Sequence, residues 1–295
     1  ACLVGSEMCI RDRVTPLLLV SELRSKINAD LTKADVGGVL RSIILEASQW
    51  LTTFCKRRFD ERIETRYYTA AFPSMGGSVA GMDLQLDADL KAVTTLTNGD
   101  GSVITTGYTL FPRMSDENGI TAYQRVRLSA VGGNYWSSGA NDWEGAISLA
   151  GTWGYGGEWI ATGVTLNGAQ NDSATTFTAS AAMLEAGMML KIDSEYQYVT
   201  EVSGTTVTVQ RGQHGSTAAA HSNGAAILRW SAMPLVQSLV SRMVLWKLQQ
   251  NQSPLAGQVV IGDIAFPVST DGLPKDLIQT ILGGRLRRLT MPGGV

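Results

Sequence analysis

Two segments with helical hydrophobic periodicity, far apart in the chain, most constrain what this protein can fold into. The first spans residues 33–57 and the second spans residues 234–250, and in both an apolar side chain recurs every three or four residues. Each helix therefore has one apolar face that must be buried. The face of the second helix consists of Val236, Leu239, Val240, Met243 and Val244. We expect the two helices to pack against each other in one domain that the intervening chain interrupts.

The intervening chain has the character of β structure. Short, partly alternating apolar runs occur between residues 64 and 153, and a second pattern of this kind occupies residues 163–229. Gly, Asn, Asp and Ser separate the runs, as is typical of turns. We therefore predict an α+β fold, in which a small α-helical bundle carries β-strand and hairpin extensions. The second β pattern is predicted to be an inserted all-β domain, either a small barrel or a sandwich.

The predicted domain organisation follows from these patterns. Residues 14–162 and 231–295 form the helical core with its β extensions, and residues 163–230 form the inserted domain. Near the end of the chain, Pro274 is predicted to open a last short helix. Residues 1–13 resemble translated adapter sequence, so we expect them to be non-native and give them no weight in the fold.

Composition excludes several classes of protein. The chain of 295 residues has 24 Lys and Arg against 26 Asp and Glu, a formal net charge of −2. That balance argues against a protein that holds nucleic acid by neutralising many phosphates. No apolar run approaches the ~18 residues that a membrane span needs, so we expect no membrane partner. Cys55 stands alone once the first 13 residues are set aside, which favours a reducing compartment.

Few residues offer catalytic or metal-binding chemistry. The two histidines, His214 and His221, have only Asp193 and Glu195 as nearby acidic candidates, and a metal site needs at least three protein ligands. Ser216 lies close to both histidines, but no Gly-x-Ser-x-Gly elbow surrounds it. We therefore expect no enzyme activity, no cofactor and no metal, with both histidines at the surface or in loops. A hydrolase built around His214, His221 and Asp193 remains the less favoured hypothesis.

Two basic clusters stand out on this acidic chain. Lys56, Arg57 and Arg58 end the first long helix, and Arg285, Arg287 and Arg288 follow the predicted last helix. Cations at the C-terminal end of a helix also stabilise its dipole, so solvated helix ends are one interpretation. Contact with a negatively charged partner, either an acidic protein surface or passing DNA, is the other.

The run from Leu40 to Phe59 resembles the head–tail connector (adaptor, head completion) proteins of tailed bacteriophages. It has a long helix with Glu-Ala-Ser at its centre, and it ends in an aromatic residue, basic residues and Phe. A strand like Glu64–Tyr68 follows in that family, and residues 234–249 are similar to its returning helix. The resemblance covers residues 20–161 and 231–289, whereas the segment 163–229 departs from the family and is similar to a small β module of phage structural proteins.

The resemblance implies a structural virion protein at the neck, assembled in the host cytoplasm. Copies of the chain would form a homo-oligomeric ring, a dodecamer, between the portal protein and a tail-side connector or tail protein. Double-stranded DNA would pass through the ring without sequence-specific binding. Leu45, Trp50 and Trp246 are the expected subunit-interface residues.

A second virion function stays open. A tail or decoration protein could bind host-surface glycan through its inserted β domain, because aromatic faces bind sugars as well as forming cores. The tryptophans that motivate this alternative are Trp136, Trp143, Trp153 and Trp159.

Overall fold

The computed structural model describes residues 15–26, 36–69, 82–113, 122–129, 135–138, 144–252, 258–261, 264–267, 278–279, 281 and 286. Its helices are α1 (Val20–Lys26), α2 (Val36–Cys55) and α3 (Pro234–Gln252). The strands before the second β pattern are β1 (Arg62–Tyr68), β2 (Asp83–Thr97), β3 (Tyr108–Phe111), β4 (Tyr123–Leu128), β5 (Ile147–Trp153) and β6 (Glu158–Thr165). The later strands are β7 (Thr176–Thr178), β8 (Met189–Ile192), β9 (Glu195–Ser203), β10 (Thr206–Gln210), β11 (Ala226–Ser231), β12 (Gln258–Ile261) and β13 (Ile264–Pro267).

The predicted fold class is wrong. The described part of the chain is mostly β, with 41% of its residues in strands against 23% in helices, and it is not a helical bundle with small β extensions. Two antiparallel sheets, of five and six strands, contain most of the described strands. The error has a physical cause, because a long amphipathic helix is visible in any single window of sequence. Strand pairing instead joins residues that lie far apart in the chain and has no equally strong local pattern.

The chain divides into two compact units, which we describe separately. The first unit consists of Ala1–Arg57, Glu158–Gln213 and Thr217–Val295, and the second of Arg58–Gly157 with His214–Ser216. The predicted last helix falls almost entirely outside the described residues.

The six-stranded sheet of the first unit closes into a small barrel. Its strand order is β6-β11-β8-β9-β10-β7, and a bridge between Leu166 and Ala179 joins the two outer strands. The Ser180 amide also donates to the Thr165 carbonyl oxygen, which extends that closure. Alternate residues point inward and form one apolar core, which includes Val164, Phe177, Leu190, Ile192, Val199, Val207, Val209 and Ile227. The closed arrangement leaves few unpaired backbone groups on the outer strands.

The helices of the first unit pack as their periodicity predicts. Val236, Leu239, Val240, Met243 and Val244 of α3 are all buried, which confirms the predicted apolar face. The two long helices contact each other, and the Lys247 ammonium of α3 pairs with the Glu46 carboxylate of α2. Arg229 in β11 also binds Glu22 in α1 at 2.8 Å. Within this unit the two long helices therefore pack on each other, and an ion pair connects α1 with the barrel.

The second unit is a five-stranded antiparallel sheet in the order β1-β5-β2-β4-β3. One face carries an apolar core that includes Leu84, Leu90, Leu96, Val126, Leu128, Ile147, Leu149 and Trp153. β2 is a single strand that runs through both of the short apolar runs at residues 83–86 and 93–96. Irregular register between Gln85 and Leu90, and again near Ala92, lets this long strand bend and continue past Asp87.

Candidate functional site

The most strongly polar group of side chains in the first unit surrounds Glu195. A two-residue turn, Asp193-Ser194, joins β8 to β9, and Glu195 is the first residue of β9. Asp193 has a φ of 54°, a left-handed conformation that aspartate tolerates better than most side chains. The turn leaves Glu195 completely buried, because the inward alternation of β9 begins with this residue. The negative charge of a buried carboxylate must be balanced by hydrogen-bond donors or cations. Most of these partners of Glu195 come from the connection between β10 and β11.

The Glu195 carboxylate is saturated by donors. Arg211 donates through Nε to Oε1 and through Nη2 to Oε2, both at 2.6 Å. The backbone amides of Gly212 and Ala219 donate to the same carboxylate at 3.0 and 3.2 Å. Gln197 adds a further hydrogen bond from Nε2 at 3.3 Å. The two carboxylate oxygens therefore have no acceptor capacity left to take a substrate proton or hold a metal.

His221 lies between two carboxylates. Its Nδ1 is 2.7 Å from Asp193 Oδ2 and its Nε2 is 2.8 Å from Glu195 Oε2. Both ring nitrogens of His221 therefore point at carboxylate oxygens. With both positions occupied in this way, neither nitrogen faces an open position for a substrate or a metal ion. We call Asp193, Glu195, Arg211 and His221 the barrel ion cluster, and its contacts fix Arg211 and His221 against the start of β9.

The electrostatics of Glu195 agree with this structural role. Burial by itself raises the pKa of the Glu195 carboxyl, but the hydrogen bonds from Arg211, His221 and the amides of Gly212 and Ala219 outweigh it. The resulting pKa lies below the ordinary glutamate value, so the carboxylate is ionised at neutral pH.

A second polar group lies in the second unit around Asp60. Arg58 donates to both Asp60 oxygens at 3.1 and 3.0 Å, and His214 Nε2 lies 3.6 Å from Oδ2. His214 Nδ1 is 2.9 Å from the carbonyl oxygen of Glu61, which requires that this nitrogen carries the hydrogen. The Glu61 carboxylate in turn accepts from Lys91 Nζ at 2.6 Å.

The Asp60 carboxyl is buried yet ionised. Burial alone raises the pKa of the Asp60 carboxyl. The charge of His214 and the hydrogen bond and charge of Arg58 lower it by more than burial raises it, so the pKa lies below the usual aspartate value. Like the barrel ion cluster, this group satisfies its charges within the protein.

The structure corrects the expectation for the histidines. Both were expected at the surface or in loops. They do lie in the connection between β10 and β11, but neither is at the surface, since His214 is only 1% exposed and His221 only 3% exposed. Asp193 and His221 come together, as a hydrolase would need, whereas His214 belongs to the second unit with Asp60 and Glu61. Among the residues that the structure describes, no group of three or more His, Cys, Asp and Glu side chains is arranged to hold a metal ion.

The residues predicted at a subunit interface lie on the two long helices. Leu45 on α2 is half-buried, as are Trp50 on α2 and Trp246 on α3. The Trp50 ring stacks on Phe54 one turn later, with centroids 4.8 Å apart and planes at 11°. The Trp246 Nε1 is buried and has no hydrogen-bond partner among the residues that the structure describes.

The predicted basic cluster at the end of α2 is divided by the fold. Lys56 is exposed and ends the helix in a left-handed conformation with a φ of 51°. Arg57 is buried, at 8% exposure, and Arg58 is paired with Asp60. Of the three, only Lys56 presents an exposed charge without an ion pair in the described part of the chain. Arg285, Arg287 and Arg288 lie outside the described residues.

Two of the four tryptophans expected to be exposed lie in cores. Trp136 is 4% exposed and Trp153 is 2% exposed, and each donates its indole N–H to a backbone carbonyl oxygen. Trp159 is half-buried and packs on Tyr196 and Trp230, with ring centroids 4.8 and 5.1 Å away. Trp143 lies outside the described residues.

Sequence reasoning missed the partners that compensate the buried charges. Arg211 pairs with a glutamate 16 positions earlier, and His214 contacts a carbonyl group 153 positions earlier. One local signal was available, because Glu195 opens a strand in which Tyr196, Tyr198 and Val199 follow closely. A charged residue at such a position predicts a buried ion pair even where the partner cannot be named.

Comparisons with known proteins add no identification. No protein-family model, no curated protein and no solved structure matches this chain. Among the described residues, no helix combines the length and the hydropathy required to cross a membrane.

Proposed function

We propose that this chain is a structural virion protein that assembles as a homo-oligomeric ring between portal and tail, with double-stranded DNA passing through it. The proposal starts from the resemblance of residues 40–59 and 64–68 to head–tail connectors. The order of elements in that region fits, since α2 ends at Cys55 and β1 begins at Arg62. Because the fold is mostly β, neighbouring copies in the ring do not contact each other through whole helical bundles. We propose that they contact through the surface of a single helix.

One observation carries the proposal, namely an apolar stripe along one flank of α2. Val39, Trp50 and Phe54 share this flank, because their spacing places them within a quarter turn of one another. Val39 is 57% exposed, and the stacked rings of Trp50 and Phe54 are only half-buried. We call these three residues the α2 flank. Aromatic side chains that remain partly exposed on a rigid helix are typical of protein interfaces.

A second copy of the same chain is the proposed occupant of the α2 flank. The net charge of −2 on 295 residues allows identical copies to approach without strong repulsion. If the flank contacts a different surface of the neighbour, repetition of that contact about an axis closes a ring. Portal and tail-side proteins would bind the two ends of that ring.

The polar clusters support a non-enzymatic role. Glu195 and His221 direct their polar atoms to partners inside the protein, as Asp60 does with Arg58. A catalytic acid or base needs an unused proton site within reach of substrate. The glycan-binding alternative loses two of the four tryptophans that motivate it, because Trp136 and Trp153 lie in the core.

Mass measurement in solution tests the proposal. We expect the wild-type protein to form a discrete multimer whose fraction increases with concentration. The Val39→Glu variant should remain monomeric, because it places a charge in the apolar contact, and its free energy of unfolding should stay within about 0.5 kcal/mol of wild type. Gln49→Glu is the matched control, since Gln49 is exposed elsewhere on the same helix.

Two results would count against the proposal. The first is a wild-type protein that stays monomeric at every concentration and in mixtures with portal rings. The second is a multimer that Val39→Glu leaves unchanged, which would place the contact on another surface.

A further inference from the structure

Two arginines lie on the open face of the second unit's sheet. In β4 the side chains alternate, so that Val126 and Leu128 enter the core while Arg125 and Arg127 point away from it. Register pairing places Phe111 of the neighbouring strand β3 directly opposite Arg125. Because β3 is the last strand of this sheet, the pair lies at its edge.

Three guanidinium groups surround the Phe111 ring. The central carbon of Arg125 is 4.6 Å from the ring centroid, that of Arg127 is 5.0 Å away, and that of Arg113 is 5.6 Å away. Such distances are within the range of cation–π attraction, which holds the guanidinium groups close despite their like charges. We call Arg113, Arg125, Arg127 and Phe111 the arginine patch.

One carboxylate partly neutralises the patch. Asp83 accepts from Arg127 Nε at 2.6 Å and Nη2 at 2.8 Å, and from Arg125 Nη1 at 3.1 Å. Arg113 is exposed and has no ion pair among the residues that the structure describes. Three arginines against this one aspartate leave an excess of two positive charges within the described part of the patch. Asp83 uses some of the N–H donors of Arg125 and Arg127, and the remaining donors face solvent, since their side chains are 31% and 33% exposed.

We propose that the arginine patch binds the phosphodiester backbone of double-stranded DNA. Guanidinium groups bind phosphate oxygens with two parallel hydrogen bonds, and here Asp83 and Phe111 already restrict their orientation. The aromatic ring gives the patch a rigid centre, so little side-chain entropy is lost on binding. The choice of DNA as the ligand rests on the proposed function, in which duplex DNA passes through the ring. The inference that the patch binds an anion rests on the contacts described above.

Such a patch has a defined salt dependence. Each phosphate that a cationic side chain neutralises contributes a slope of about −0.9 to the logarithm of the binding constant against the logarithm of salt concentration. Contacts from two or three arginines per chain therefore predict a slope of about −2 to −3 for each chain bound. Binding is expected to be independent of base sequence, because no contact to a base edge is involved.

The test is fluorescence anisotropy of a short labelled DNA duplex, titrated with the full-length protein between about 50 and 200 mM salt. Arg113→Gln should weaken binding about fivefold at the lowest salt concentration and lower the slope by about 1 per chain. Arg125→Gln should do the same, and its thermal unfolding is measured in parallel because Arg125 also binds Asp83. Arg24→Gln is the control, since Arg24 is exposed on α1 and its substitution changes the net charge equally.

The outcomes separate this inference from the proposed function. Loss of binding in Arg113→Gln but not in Arg24→Gln supports the patch, even if the protein proves to be monomeric. Equal binding by wild type and both patch variants would overturn it, as would an absence of duplex binding at the lowest salt concentration. Tighter binding to poly-glutamate than to DNA would overturn the choice of DNA and indicate an acidic protein surface instead.

Discussion

Arg211 donates a hydrogen bond to each oxygen of the buried Glu195 carboxylate, with Nε–Oε1 and Nη2–Oε2 distances of 2.6 Å each. Its other donors bind the carbonyl oxygens of Asn171, Ala174 and Ala219. One side chain thus connects the start of β9 with two loops that are separated in sequence. We regard this pair as the polar centre of the barrel.

Removal of Arg211 should destabilise the protein strongly. The Arg211→Met variant leaves the Glu195 carboxylate buried without its main counter-charge, and loss of one partner of a buried ion pair costs about 3–5 kcal/mol. The free energy of unfolding in urea measures the effect. Arg24→Met, at an exposed site on α1, should stay within about 0.5 kcal/mol of wild type. Similar losses in the two variants would refute a central role for the pair.

Acid should remove the contribution of Glu195. The pKa of the Glu195 carboxyl is lower in the folded protein than the unfolded value of 4.5. The reason is that the hydrogen bonds from Arg211 and His221 lower this pKa by more than burial raises it. The stabilisation is therefore complete above the unfolded pKa and is lost as the pH falls through the folded pKa. We expect the difference in unfolding free energy between wild type and Glu195→Gln to be largest near neutral pH and to shrink in acid. A difference that widened on acidification would contradict this assignment.

Gly215 should not tolerate a side chain. It has a φ of 79°, and a Cβ atom there would overlap the carbonyl oxygen of Ile63 within the second unit. Gly204, with a φ of 60°, has open space around the corresponding position. Gly204→Ala should therefore cost about 1 kcal/mol from backbone strain alone. Gly215→Ala should cost clearly more, because the clash adds to the strain, and equal thermal shifts in the two variants would argue against the close approach.

Local periodicity accounts for what the sequence predicted well. The apolar faces of α2 and α3 repeat every three or four residues, so a single window reveals them, and their mutual packing follows. The Glu46–Lys247 pair lies beside that contact. The dipeptide Ser203-Gly204 is a local turn signal, and the structure has the two-residue turn one position later, at Gly204-Thr205 between β9 and β10.

Long-range pairing accounts for what the sequence could not predict. The sheet of the second unit pairs β1 with β5, so residues near position 65 align with residues near position 150. The buried His214 ring is held by a hydrogen bond to the backbone carbonyl oxygen of Glu61. The buried Trp153 indole likewise donates to the carbonyl oxygen of Glu64. The arginine patch was also missed, although the Arg125-Val126-Arg127 alternation on a strand is a visible signal for two cations on one face.

Imaging of the purified wild-type protein by electron microscopy tests the central claim most directly. The account predicts closed rings in which every position holds the same chain and the α2 flank lies between neighbouring copies. Single particles of monomer size at all concentrations, or rings in which Val39, Trp50 and Phe54 face solvent, would contradict it.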